Sequence, residues 1–115
     1  MDPELARLCP RYHYAIELIG RRWTGALLML LVQRESTRYA ELLAAVPGIS
    51  DRLLSERLRE LEHEGIVDRI VEPGPPVRVS YRLTAAGRDL QPTILALAQW
   101  ADRWIPSEHA NAKVS

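Results

Sequence analysis

The most restrictive feature of the sequence is a change in apolar spacing, from the period of a helix to that of a strand. Residues 51–64 carry leucines at intervals of four and three, as one face of a helix does: Leu54, Leu58 and Leu61. From Val77 to Leu83 apolar and polar residues alternate, which is typical of a strand with one buried face. Residues 66–72 are its predicted partner across the proline-rich segment 73–76. The fold must therefore place a β-hairpin directly after a helix.

Several helices are predicted before this pair of elements. Pro10 is expected to separate a short helix that ends near Leu8 from a second helix over residues 12–19, because proline removes a helical hydrogen bond. A third helix over residues 23–33 is apolar almost all round. Such a helix is expected at the centre of the core.

The caps of the next two helices are also readable. Thr37 is the predicted N-cap of a short fourth helix, and residues 47–49 form a tight break after it. Ser50 is the predicted N-cap of helix 51–64, and Gly65 is expected to end that helix. A short helix, a glycine-containing turn and a capped second helix are the order of a helix-turn-helix.

The last part of the chain is predicted to be one long helix from Thr84 to about Ile105, bent at Pro92. Its apolar residues recur at alternating intervals of four and three, as in a coiled-coil seam: Leu90, Ile94, Leu97, Ala101 and Trp104. This seam predicts a contact between subunits.

Together these segments predict a mainly α fold with a small β-hairpin: a winged helix-turn-helix with N- and C-terminal dimerisation helices. We expect one domain over residues 1–105 and a flexible polar tail over residues 106–115. The longest apolar run, 26–32, is too short to cross a bilayer, and residues 1–4 lack a signal-peptide pattern, so a cytoplasmic location is expected. The lone Cys9 excludes an intrachain disulfide.

Net charge does not decide whether the partner is a nucleic acid. Fifteen basic and fifteen acidic residues cancel, although fourteen of the basic residues are arginine. Guanidinium groups suit phosphates and guanine edges, but a GC-rich genome would produce the same excess of arginine. Residues 73–88 contain three arginines and no acid, so the predicted wing is locally basic.

The predicted DNA contacts follow from turning the leucines of helix 51–64 inward. The second helix of a helix-turn-helix enters the major groove, where Arg52 fits a guanine and Ser55 a base or a phosphate. Arg78 lies near the hairpin tip, in reach of a minor groove or the backbone. The full predicted set is Arg38, Ser50, Asp51, Arg52, Ser55, Glu56, Arg59 and Arg78.

The remaining charged residues of this helix are not expected to contact bases. Arg57 is displaced from the outward face, toward a phosphate or a carboxylate of the chain itself. Glu60, Glu62 and Glu64 are expected to point away from DNA. Taken alone, the helix is equally consistent with a solvated face of mixed charge.

Over nearly its whole length the chain resembles the HxlR-type winged-helix regulators. The segments that carry the resemblance are Cys9-Pro10, LIGRRWT at 18–24, RYAEL at 38–42, PGIS at 47–50, LSERLREL at 54–61, GIV at 65–67, PPVRVSY at 75–81 and LTAAG at 83–87. The chain departs from the usual pattern at Arg22, where the family mostly has lysine. It also has Asp51 where the family often has proline, which places an acid in the recognition helix.

The resemblance implies a homodimer formed by the N- and C-terminal helices, with Leu5 in the interface. Two recognition helices would then face one palindromic double-stranded operator, roughly 34 Å apart. Repression is the usual role in this family.

The resemblance also implies a sensing role for Cys9, since several members resemble redox or electrophile sensors with a cysteine at this position. The charges of Arg7 and Arg11 would favour the thiolate, and oxidation would link two subunits or cap each thiol. A buried, inert cysteine is the alternative. No cofactor and no metal are predicted, because Cys9 and His13 lack a second pair of ligands.

Other functional classes differ in their support. An enzyme is disfavoured, because no nucleophile or phosphate-loop context surrounds the polar residues. A winged helix that only docks other proteins is mildly favoured by the neutral charge. A regulator that takes a small effector at a dimer interface lined by tryptophans is the third reading: Trp23, Trp100 and Trp104.

Overall fold

The computed structural model describes the backbone of residues 3–109 and the side chains of residues 10–109. Its elements follow the order helix, helix, strand, helix, helix, hairpin, helix, helix: α1 (Pro3–Ile19), α2 (Thr24–Val32), β1 (Thr37–Arg38), α3 (Tyr39–Ala45), α4 (Asp51–His63), β2 (Val67–Glu72), β3 (Arg78–Leu83), α5 (Ala85–Asp89) and α6 (Gln91–Trp104). The predicted mainly α fold with a small hairpin is confirmed. No helix in the described part of the chain is long and apolar enough to cross a membrane.

The first helix is continuous, which corrects the prediction of two helices separated at Pro10. α1 runs through Pro10 to Ile19. Proline removes only its own hydrogen bond to the carbonyl four residues earlier, and the helical residues on both sides supply the others. Leu5 and Cys9 belong to this helix by their backbone, but their side chains lie outside the described residues.

The core is built around α2, as its apolar composition predicts. Leu27, Leu28 and Leu31 are fully buried there, and they pack in one cluster with the leucines of α4. Burial of a leucine stabilises a fold by roughly 1.5–3 kcal/mol. α2 is therefore the scaffold on which the helix-turn-helix is mounted.

A third strand, β1, was not predicted and changes the role of Thr37. The sheet order is β1-β3-β2, and Thr37 pairs with Tyr81 of the central strand. Thr37 is only 3% exposed, and its Oγ1 has no hydrogen-bond partner among the described residues, so it does not cap α3. Arg38 is the residue before α3, and its backbone N–H donates to Glu41 Oε1 at 3.1 Å.

Both predicted ends of α4 are confirmed. Ser50 Oγ accepts a hydrogen bond of 3.0 Å from the Leu53 backbone N–H. At the other end Gly65 has φ 74°, a left-handed conformation that favours glycine, and Ile66 N–H donates to the Leu61 carbonyl at 2.9 Å. These contacts define where α4 begins after the turn and where it ends before the hairpin.

The hairpin forms in the predicted place, with β2 and β3 antiparallel from Val67 opposite Leu83 to Glu72 opposite Arg78. Its burial does not follow strict alternation, since Ser80 is buried and Val77 is exposed. β3 lies between two strands and its base enters the core, whereas the tip projects into solvent.

The predicted C-terminal helix is two helices, α5 and α6, that meet at Leu90. Thr84 caps the first, as its Oγ1 accepts from Gly87 N–H at 3.1 Å. Pro92 lies in the first turn of α6, where proline is well tolerated, so it marks a helix start and not a bend. Residues 107–109 of the predicted tail are helical, and residues 110–115 lie outside the described residues.

The predicted seam is divided between two environments. Ile94 is 6% exposed and belongs to the core cluster, and Leu90 packs against that cluster. Leu97 and Trp104, in contrast, are 58% and 64% exposed. The prediction that Ile94 contacts a second subunit is corrected, since its apolar surface is covered by its own chain.

Candidate nucleic-acid interface

α4 presents a polar face on the side opposite its buried leucines. Asp51, Arg52 and Arg59 are exposed, and Ser55 and Glu56 are half-buried. The Arg52 guanidinium has Glu56 Oε1 at 3.4 Å, but the two side chains remain 82% and 41% exposed. A pair this exposed contributes little to stability, so Arg52 is available to a ligand.

A groove of about 870 Å³ separates this face of α4 from the hairpin. Four arginines from four different elements line it: Arg38 of β1, Arg59 of α4, Arg69 of β2 and Arg78 of β3. We call it the arginine groove. Glu62 is the only carboxylate in its lining, so the groove is positively charged although the whole chain is neutral.

The arginines of the groove are not engaged in ion pairs, whereas several arginines elsewhere in the described residues are. Within residues 10–109, no carboxylate oxygen lies within 4.0 Å of the guanidinium of Arg38, Arg59 or Arg78, or of Arg69. Arg21, Arg34 and Arg82 are each paired with an acid of the chain. Guanidinium groups without an internal partner keep their donors for an external anion such as phosphate.

The opposite flank of α4 is closed by internal pairing. Arg57 Nε donates to the Arg22 carbonyl at 3.0 Å, and its Nη1 lies 3.3 Å from Glu60. Arg21 bonds the same carboxylate at 2.7 Å. Of the two partners predicted for Arg57, a phosphate or a carboxylate of the chain itself, the structure shows the carboxylate.

The three acids near the end of α4 do not act as one cluster. Glu60 is held by the arginines just described, and Glu64 accepts a hydrogen bond from Tyr14 OH. Glu62 lines the arginine groove, which corrects the prediction that it points away from this face.

A hydrogen-bonded group lies at the first turn of α4. The phenol of Tyr39, the first residue of α3, contacts the Asp51 carboxylate and the Asp51 carbonyl oxygen, the latter at 2.9 Å. Ser55 Oγ lies 2.9 Å from the same phenol oxygen. Burial and the bond to Asp51 raise the pKa of Tyr39 above its usual 10, so the phenol keeps its proton at neutral pH.

The residues that the sequence left out of the site are Arg69 and Tyr39. Arg69 lies directly opposite Tyr81 in the β2–β3 register, so correct pairing of the hairpin would have placed it beside the groove. Tyr39 is half-buried at the start of α3, and no local pattern indicates its contact with a residue twelve positions away.

A second exposed surface is apolar. On α6 it comprises Leu97, Trp100 and Trp104, which repeat at helical spacing and are each more than half exposed. On α1 Tyr12 and Ile16 are exposed one turn apart. We call these two stripes the apolar helix faces; exposed aromatic and aliphatic area of this kind marks a surface that binds another protein.

Comparison with known proteins identifies similar helix-turn-helix transcriptional regulators. The family model for HxlR-like helix-turn-helix proteins matches residues 18–109. An uncharacterised HTH-type transcriptional regulator of Bacillus subtilis, YvaP, is 43% identical over 100 residues, which cover 87% of this chain and 92% of YvaP. The HTH-type transcriptional regulator YodB of the same organism is 39% identical over 84% of this chain and 86% of its own length.

Solved structures give the same result. The redox regulator HypR in its oxidised form has a TM-score of 0.75 and 34% identity, over 81% of this chain and 95% of that one. The reduced form of YodB has a TM-score of 0.74 and 39% identity, over 84% of this chain and 94% of that one. The neighbours are winged-helix transcriptional regulators and not enzymes.

Proposed function

The chain belongs to the HxlR-like helix-turn-helix family, and from this premise we propose that it is a homodimeric repressor that binds a palindromic DNA operator. As a member of the family it is a winged-helix transcriptional regulator and not an enzyme. The finer features of the proposal are the interface, the dimer and the signal.

The DNA interface is assigned to α4 and the hairpin, with α4 in the major groove and the hairpin as the wing. The observation that carries this assignment is the arginine groove, because its four guanidinium groups lie beside the exposed face of α4 and have no carboxylate partner among the side chains of residues 10–109. Arg52 and Arg59 face base edges from the helix. Arg38, Arg69 and Arg78 contact the phosphate backbone, and Ser50 supports the helix end that approaches the DNA.

The dimer is assigned to the apolar helix faces. Leu97, Trp100 and Trp104 leave a large apolar area in water in the single chain, and a second copy would remove it from solvent. Ala101 is half-buried on the same side of α6. A two-fold dimer presents two copies of α4, which is the arrangement that a palindromic operator requires.

The signal is assigned to Cys9. Two relatives support this: HypR is described as a redox regulator, and one structure of YodB is of the diamide-treated protein. In the proposed reaction the Cys9 thiols of two subunits lose two electrons and two protons to diamide, which becomes the hydrazine, and one disulfide forms between the subunits. The new bond would alter the spacing of the two recognition helices.

The test is a fluorescence-anisotropy titration of labelled duplex from the DNA upstream of the gene, at several salt concentrations. We expect affinity for this duplex to exceed that for a scrambled duplex at least about 1,000-fold and to fall steeply with salt. Equal, weak binding to both duplexes would contradict the proposed operator and favour a protein-docking role. A repeat after diamide treatment, with Cys9→Ser as the control, tests the signal; equal loss of binding in both proteins would exclude Cys9.

A further inference from the structure

The hydrogen-bonded group at the first turn of α4 has a consequence for base selection. Asp51 is exposed, and Ser55 is half-buried on the lining of the arginine groove. Both residues therefore lie on the surface that approaches DNA in the function proposed above, on which the inference rests. What each can offer a base depends on where the hydrogen atoms of the group are.

The hydrogen atoms can be assigned by counting donors. The Tyr39 phenol has one hydrogen, and the acceptors around it are the Asp51 carboxylate, the Asp51 carbonyl and Ser55 Oγ. A carboxylate is the strongest of these acceptors and makes the shortest contact, so the phenol donates to Asp51. Ser55 then donates its own hydrogen to the phenol oxygen, which has lone pairs free to receive it.

Because the hydrogen bonds run from Ser55 to Tyr39 and from Tyr39 to Asp51, the group presents only hydrogen-bond acceptors to a ligand. The Ser55 hydroxyl already donates its hydrogen to Tyr39, so only its lone pairs remain for a ligand. The Asp51 carboxylate has no hydrogen to donate. In the major groove the base donors are the amino groups of cytosine and adenine, whereas guanine and thymine offer acceptors. Phosphate oxygens are acceptors too, so Ser55 cannot donate to the backbone.

We propose that Tyr39 is a specificity-determining residue, which makes the first turn of α4 select cytosine or adenine over guanine or thymine at one position of each half-site. Tyr39 itself touches no base. It acts by orienting the Ser55 hydroxyl and by holding the Asp51 carboxylate at the helix end. The acid that departs from the family pattern is thereby turned into part of the base contact.

The test is selection from a randomised duplex library with the full chain, followed by titration of duplexes that differ at the selected position. For the unaltered protein we expect discrimination against guanine or thymine of roughly 10-fold at that position. Tyr39→Phe frees the Ser55 hydrogen to donate, so we expect the discrimination to fall below about threefold there and to persist elsewhere. An unchanged base preference in Tyr39→Phe would overturn the proposal.

Controls separate base selection from folding. Tyr14→Phe removes the same kind of phenol–carboxylate bond, to Glu64 at the far end of α4, and should leave every base preference intact. Ser55→Ala is the second variant, because alanine offers no lone pair while Tyr39 keeps its bond to Asp51; it should lose the same preference, and retention would contradict the proposal. If the unaltered protein enriches no sequence, the proposed operator binding fails and this inference fails with it. Enrichment with the preference unaltered in either variant defeats this inference alone.

Discussion

The arginine groove and the apolar helix faces are both exposed in the single chain, but they differ in how favourable their exposure to water is. The groove collects Arg38, Arg59, Arg69 and Arg78 from four elements, and none of the four forms an ion pair within the described residues. Their solvation by water stabilises the free protein, so the groove needs no partner until a polyanion displaces that water. Leu97 and Trp104 have no such stabilisation, because apolar area in water is unfavourable at all times.

The difference predicts two modes of association for one domain. A surface of hydrated charge suits a partner that comes and goes with salt and signal, whereas a large apolar surface suits a permanent partner. A substitution in one of the two surfaces, or in the scaffold between them, should therefore leave the other surface unchanged.

The largest effect is expected from removing three groove arginines together. The triple variant Arg38→Ala, Arg59→Ala and Arg78→Ala should lower operator affinity at least about 100-fold, since the base contact of Arg59 is worth roughly 1–3 kcal/mol and the loss of two phosphate contacts weakens binding further. Anisotropy titration measures the affinity. The matched control is Arg21→Ala with Arg34→Ala and Arg82→Ala, which removes the same three charges from exposed side chains paired with Glu60, Glu41 and Asp68. If both proteins lose binding equally, net charge alone is responsible and the groove is not the site.

The next effect concerns the stripe on α6, which changes role between Ile94 and Leu97. Ile94→Ala should destabilise the fold by about 2–5 kcal/mol, because it leaves a cavity in the core. The urea midpoint should shift by the same amount at every protein concentration. Leu97→Ala should instead produce a shift that grows with concentration, because its loss is felt only in the dimer. Concentration-independent shifts in both variants would mean that α6 has no role between subunits.

A charge on the apolar helix face should break the dimer without touching the groove. Leu97→Lys is expected to raise the dimer dissociation constant at least tenfold, since burial of a leucine is worth about 1.5–3 kcal/mol. Sedimentation velocity over a range of concentrations measures this. Gln99→Lys, an exposed polar position on the same helix, adds the same charge and should leave the dimer intact. Dimers of equal stability in both variants would move the interface away from α6.

The smallest effect is expected at the scaffold between the two surfaces. Ser50→Ala removes the cap of α4 and should cost about 1 kcal/mol of unfolding free energy. Thermal unfolding measures it, with Ser36→Ala in the exposed loop before β1 as the control. A loss of DNA affinity as large as that of the triple arginine variant would show that Ser50 itself contacts DNA.

The features that sequence predicts well here are local ones. Ser50 and Gly65 bound α4 through contacts within three to five residues, and such contacts are readable from residue type and spacing. β1 is two residues long and exists only by pairing with β3, so no periodicity marks it. The burial of Ile94 and the exposure of Leu97 also cannot be predicted from the sequence, because an apolar stripe does not indicate which of its turns packs against the core of the same chain.

The site divides in the same way. The outward face of α4 follows from its leucine spacing, and the basic hairpin follows from its composition. The bond between Tyr39 and Asp51 joins two helices across the turn, and the approach of Arg69 and Glu62 to the groove depends on how the hairpin packs against α4. Both are consequences of tertiary packing that residue type does not encode.

The most direct test of the two-surface account is hydrogen exchange by mass spectrometry on the intact protein, alone and saturated with its operator duplex. We expect slower exchange on DNA binding in residues 51–59 and 72–78, with no change in residues 94–104. Slower exchange confined to residues 94–104, or no change anywhere with the duplex fully bound, would contradict it.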